Sequence, residues 1–260
     1  MHYGCWKTHR YTGVQGPGRA PRVQELTRTY LDFSSVFASP RLLASIVAVT
    51  ITAGAAGACA GPSTSYDVAS HLSGRPQSRP LTCESRSAAD LLSFHGIAAS
   101  EADVFGRIAR SDNPDTGFVG DPDGPPGRLP PEGYGVHAEP VAAALIDLGL
   151  DAQASRGRSY EWLEEQTREA RPVIVWITAS CDLSKRAAMS DTRGRAFSVA
   201  RGEHTVLVVS ADGSGVTVVD PAGGFRRQFE RAEFEAAWTL FDRMAISARG
   251  PRPANVVPSK

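Results

Sequence analysis

Apolar positions along the 260-residue chain follow a helical spacing in the first part of 77–248 and strand-like runs in the second. Between Cys83 and Phe94, the positions Ala88, Leu91 and Leu92 fall at i, i+3 and i+4, which predicts a helix with one apolar stripe. The tetrapeptide from Ser100 to Asp103 has the form of a capping box and predicts a second helix running to about Arg110. Glu139–Leu148, stopped by Gly149, and Ser159 to about Arg171, followed by Pro172, predict two more. The period then changes. Val173–Ile177 reads as a buried strand, and His204–Ser210 as another. After a turn over 211–215, Val216–Asp220 and Phe225–Phe229 follow as strands. A short helix at Ala232–Phe241 and a last strand near Met244–Ser247 close the pattern. Helices first and antiparallel strands later predict one layered α+β domain over 77–248.

Three segments break this pattern. Asn113–Gly135 holds 12 Gly or Pro among 23 residues and predicts an irregular loop of the length that usually carries function. Residues 59–76 lack apolar periodicity and read as a tether, and 249–260 as a tail. Before them, 1–41 carries six basic and two acidic side chains, and 42–58 is an uncharged run of 17 residues ending Ala56-Gly57-Ala58-Cys59. That run is short for a bilayer span and fits the apolar region of a signal peptide. Small residues directly before a cysteine resemble a bacterial lipoprotein processing site, which implies cleavage before Cys59 and a lipid on its thiol. An ordinary secretory signal cleaved near Ala58 and an uncleaved anchor remain the alternatives. The expected location is the outer face of the cytoplasmic membrane, or secreted.

Composition narrows the function classes. With 28 basic and 28 acidic side chains the formal charge is zero, without the basic footprint of a nucleic-acid binder. No glycine-rich phosphate loop is present, so no nucleotide is expected. The cysteines show no C-x-x-C spacing, and neither a metal nor a cofactor is expected. In an oxidising compartment, a Cys83–Cys181 disulfide competes with a reactive Cys83.

A thiol nucleophile needs a base, a group that orients the base, and donors for an oxyanion. Cys83 opens a predicted helix, where the macrodipole favours a thiolate. Gln77, six residues earlier, offers a side-chain amide that could serve the oxyanion. His95 is twelve residues along the same helix, roughly 18 Å away, and is excluded as the base. His204 opens one strand and Asp220 closes the next. The midpoint between them lies in the predicted turn, so a hairpin sets them opposite each other within about two residues. Tyr134, Gly135 and His137 sit in or beside the glycine-rich loop and are candidates to line a substrate groove, against the alternative of an ordered surface loop.

Cys83-Glu84 at the helix start, the 113–124 and 133–140 stretches, 173–178, 202–210 and 218–224 together resemble the peptidase C39-like group, a branch of the papain-like cysteine peptidases. The resemblance implies a papain-like fold, with Cys83 as nucleophile, His204 as base, Asp220 as its orienter and Gln77 as oxyanion donor. Its expected partner is a peptide or protein substrate. Ser85, Arg86 and Ser87 depart from the small apolar residues usual there, and Arg86 beside the thiol would alter specificity. The alternative function is a scaffold without turnover that binds peptides or cell-wall fragments.

Overall fold

The computed structural model describes residues 72–179 and 186–251. Cys59, Cys181 and the apolar run 42–58 lie outside the described residues. No helix among those described is long and apolar enough to cross a membrane. In chain order the helices are α1 (Cys83–Phe94), α2 (Glu101–Phe105), α3 (Ala138–Asp147), α4 (Tyr160–Arg168) and α5 (Arg231–Thr239). The strands are β1 (Val119–Gly120), β2 (Gly133–Gly135), β3 (Leu150–Ser155), β4 (Val173–Thr178), β5 (Arg186–Ser190), β6 (Ala196–Ala200), β7 (Glu203–Asp212), β8 (Gly215–Asp220), β9 (Phe225–Glu230) and β10 (Ala245–Pro251).

Six strands form one antiparallel sheet in the order β3-β10-β4-β7-β8-β9. All six residues of β4 are buried because the sheet is covered on both faces. Strand alternation sends Ile174 and Trp176 into a core with Leu91 and Leu92 of α1 and Val141 and Leu145 of α3. Val173, Val175 and Ile177 enter a second core with Leu163 of α4 and Phe234 and Trp238 of α5. Strand β7 divides in the same way, with Leu207 and Val209 toward the first core and Val206 and Val208 toward the second.

Several predicted elements take the expected place with shifted ends. Helix α1 spans the predicted residues, and the capping box at Ser100 is present, with Asp103 N–H donating to Ser100 Oγ at 3.1 Å. Helix α2 nevertheless ends at Phe105 instead of Arg110. The backbone of 109–111 pairs with Phe118, which donates to the Ala109 carbonyl and accepts from the Ser111 N–H, and this pulls the chain out of the helix. The predicted irregular loop holds the short pair β1 and β2. Strand β3 and the β5–β6 hairpin were not expected, because they are short and at least half of their apolar positions are alanine, a weak strand signal. Leu72 is buried and its carbonyl accepts from Arg226, so 72–76 packs on the domain instead of belonging to the tether.

One buried hydrogen bond ties the sheet to the chain segment after β2. Trp176 is fully buried, and its Nε1–H donates to the Val136 carbonyl at 2.9 Å. Trp176→Phe removes the donor and leaves that carbonyl unpaired. The expected loss is about 1–3 kcal/mol, read as a lower urea midpoint at unchanged slope. An unaltered midpoint would contradict the structural role of this bond.

Candidate functional site

Cys83 is the first residue of α1 and only 4% exposed. The preceding Thr82 makes no side-chain cap, because its one hydroxyl hydrogen is directed at Glu101, with the Arg79 carbonyl beside it at 3.1 Å. Thr82 thus leaves the positive end of the helix without an N-cap side chain at the sulfur, and of the first-turn N–H groups that of Glu84 is taken by its own carboxylate. Helix α1 packs on β7, and Ser87 Oγ lies 3.4 Å from Thr205 Oγ1. This contact brings the Cys83 end of α1 to the start of β7, where Thr205 is the chain neighbour of His204.

The β7–β8 hairpin sets the second half of the site. Leu207 pairs with Val219, and the same register carried one step further puts Asp220 opposite Val206, two residues from His204. The two side chains meet on that face, with His204 Nε2 2.8 Å from Asp220 Oδ1. Asp220 also accepts from the Ala222 N–H at 2.9 Å and from Arg227 Nη1 at 2.7 Å. Burial alone would raise its pKa. The His204 charge and these hydrogen bonds outweigh burial and hold the carboxyl well below the usual carboxylate range.

The sulfur has different neighbours. Cys83 is a free thiol that donates to Glu84 Oε2 at 3.4 Å. It is not hydrogen-bonded to His204. Burial, followed by the charges of Glu84 and Glu203, pushes the thiol pKa well up, with Thr205 acting in the opposite direction. The structure thus joins two of the three expected residues directly and brings the third to the same strand end as a neutral thiol.

Other expectations are corrected. Both amide hydrogens of Gln77 are taken, by the Arg79 carbonyl at 2.8 Å and the Pro80 carbonyl at 2.9 Å, so none is left for an oxyanion. The Gln77 backbone N–H instead clamps this loop to the Pro221 carbonyl beside Asp220. Arg86 does not face the sulfur. It is buried in an ion pair with Asp90 at 2.7 Å and lies 4.0 Å from Glu101. Tyr134 and His137, expected at a groove, are 2% and 0% exposed. The Tyr134 hydroxyl is 3.3 Å from His137 Nε2, and His137 Nδ1 is 2.5 Å from Asp115, a closed interior network. Burial lowers the His137 pKa, against the pull of Asp115. Gly135 is buried too, with φ +123°, and a side chain there would run into Glu84 and Glu203.

The carboxylates at the sulfur were not anticipated as a group. The donor atoms of Cys83, Glu84 and Glu203 lie within 4.8 Å of one another, the grouping among the described residues that could hold a cation. Glu84 was visible in the sequence as the residue after Cys83, and Glu203 as the one before His204. Their convergence depends on how α1 crosses β7.

Comparison with known proteins bears on this arrangement. The Peptidase_C39 like family model matches residues 70–246. The uncharacterized protein YvpB of Bacillus subtilis strain 168 is 26% identical over 174 residues, covering 63% of this chain and 67% of YvpB. A crystal structure from Bacillus anthracis, described as that of a C39-like peptidase, matches with a TM-score of 0.61 at 25% identity, over 71% of this chain and 97% of that one. Its likeness agrees with the α+β, papain-like arrangement of helices on an antiparallel sheet. A match over more than half the chain, in the expected order of helix, hairpin and turn, shows that the protein belongs to the Peptidase_C39 like family.

Proposed function

We propose that this protein is an exported cysteine peptidase or amidase that works through an acyl-enzyme on Cys83. The observation that carries the reading is the His204–Asp220 pair, 2.8 Å apart at the end of the strand on which the Cys83 helix packs. Because His204 Nε2 faces Asp220, the imidazole keeps Nδ1 for the thiol. Asp220 then holds the tautomer whose free lone pair is the base. Cys83 Sγ attacks the carbonyl carbon as its proton passes to His204. His204 returns the proton to the leaving nitrogen, and water hydrolyses the thioester. The Cys83 N–H at the start of α1 is the donor for the oxyanion, since the Glu84 N–H bonds its own carboxylate. Gln77 would join it only by releasing one of its two carbonyls. The thiol rests neutral, so thiolate forms as substrate arrives and not beforehand.

The uncharged run 42–58 and the small residues before Cys59 support export with a lipid on Cys59, and hence a peptide or protein substrate outside the cytoplasm. A second reading, a binding module without turnover, is favoured by the 4% exposure of Cys83 and by the missing hydrogen bond to His204.

Cleavage of a peptide library by the full chain separates the two readings. Cys83→Ala is expected to abolish cleavage, by about 10³-fold or more. Equal product patterns from wild type and variant would sink the hydrolase reading.

Asp220→Asn tests the orienting role, with an expected loss of turnover of about 10²-fold or more in a folded protein. It also changes the acid limb of stability. A carboxyl lowered by folding stabilises above its unfolded pKa of about 4, and that stability is lost as pH falls below it. The dependence of stability on pH below about 4 should therefore be shallower in Asp220→Asn than in wild type. Parallel acid limbs in a denaturation series would contradict the charge-paired state of Asp220.

A further inference from the structure

Two buried carboxyls crowd the sulfur, and the proposed chemistry uses neither. Glu84 is fully buried, with Oε1 accepting the Val136 N–H at 2.6 Å and Oε2 accepting the Cys83 thiol at 3.4 Å. Glu203 is half-exposed as a residue, but its Oε1 is buried and has no hydrogen-bond partner. A Cβ on Gly135 would stand 2.3 Å from Glu84 Oε1 and 2.8 Å from Glu203 Oε2, so the glycine is what allows both carboxyls to close on one point. Helix α1 contributes Cys83 and Glu84 to this point. Strand β7 contributes Glu203, His204 and Thr205, and β2 contributes the Tyr134 phenol. Among the described residues, no Lys or Arg forms an ion pair with either glutamate. Two unit charges within 4.8 Å repel strongly in a protein interior, by more than the neighbouring His204 offsets at Glu84, and a neutral carboxyl is favoured.

We propose that Glu84 and Glu203 hold one proton between them, and that Glu203 is a positioning residue that governs how readily the Cys83 thiol ionises. This rests on the proposed role of Cys83 as nucleophile. With the shared proton in place, the sulfur faces one negative charge. When the proton leaves, it faces two, and the thiolate is opposed further. The pKa directions agree with this reading. Burial raises Glu84 to about 7 against its hydrogen bonds from its own N–H, Val136 and Cys83, and burial with the Glu84 charge holds Glu203 well above the carboxylate range. Raising the pH through neutrality thus adds charge beside the sulfur where a thiolate would have to form.

The test is peptide-resolved alkylation of Cys83 by iodoacetamide in the full chain, from about pH 6 to about pH 11. Glu203→Gln keeps the shape and removes the charge. The half-maximal pH for Cys83 should fall by about one unit or more, which is about a tenfold faster reaction below the midpoint. A profile that superimposes on wild type or moves up overturns the proposal, as does a Cys83 that stays unlabelled in both proteins. Infrared spectra of the unmutated protein give a second readout that does not depend on the variant folding. A protonated carboxyl band should persist at neutral pH, and its absence overturns the shared proton. Neither readout needs a substrate, so a failure to cleave peptides leaves both intact. Conversely, an unchanged alkylation profile in a protein whose cleavage depends on Cys83 overturns the role of Glu203 alone.

Discussion

Strand β7 is hydrogen-bonded on both edges, to β4 and β8, and packed on both faces, so a slip of one residue would send Leu207 and Val206 to the wrong cores. That constraint fixes where His204 points. It also fixes Thr205, whose hydroxyl meets Ser87 of α1 and thereby sets the start of that helix against the same strand end. Asp220 reaches His204 across one hairpin, and the Gln77 loop is clamped to Pro221 immediately after it. The geometry of the site is thus a property of sheet register, supported from both sides by separate cores.

Electrostatics divides the site into two halves of opposite character. At Asp220, an imidazole, a guanidinium and a backbone N–H surround one carboxylate and keep it charged despite burial. At Cys83, two carboxyls surround one thiol, with no Lys or Arg paired to them among the described residues, and each group is pushed toward its neutral form. On the proposed reading, a charged Asp220 and a neutral resting Cys83 belong to an enzyme that forms its thiolate only in the substrate complex. Such an arrangement protects the sulfur from indiscriminate chemistry, since reactivity follows the thiolate.

Much of this was legible in the chain. Helix α1, the Ser100 capping box, β4, and the hairpin joining His204 to Asp220 all follow from local spacing, because apolar period and turn chemistry are local signals. The exclusion of His95 holds as well, since it caps the far end of α1. The sequence could not show that Tyr134 and His137 would be interior. A glycine-rich stretch reads as surface loop, yet here it is drawn inward by Asp115 and by the close approach that Gly135 permits. Gln77 was misread for a related reason, as its amide is consumed by carbonyls two and three residues away. Strands β5 and β6 are short and draw at least half of their apolar positions from alanine, a weak strand signal. The Glu84–Glu203 pair joins residues 119 positions apart, and only the crossing of α1 over β7 creates it.

The central claim is that the sulfur of Cys83 becomes a nucleophile through His204. Trapping the covalent intermediate tests it most directly. The full chain is mixed with an activated acyl ester and quenched in acid, and the Cys83 peptide is weighed by mass spectrometry. The wild type should gain one acyl group on Cys83, and His204→Ala, folded by circular dichroism, should not. Equal acylation of both proteins, or none on Cys83 in the wild type, would contradict the account.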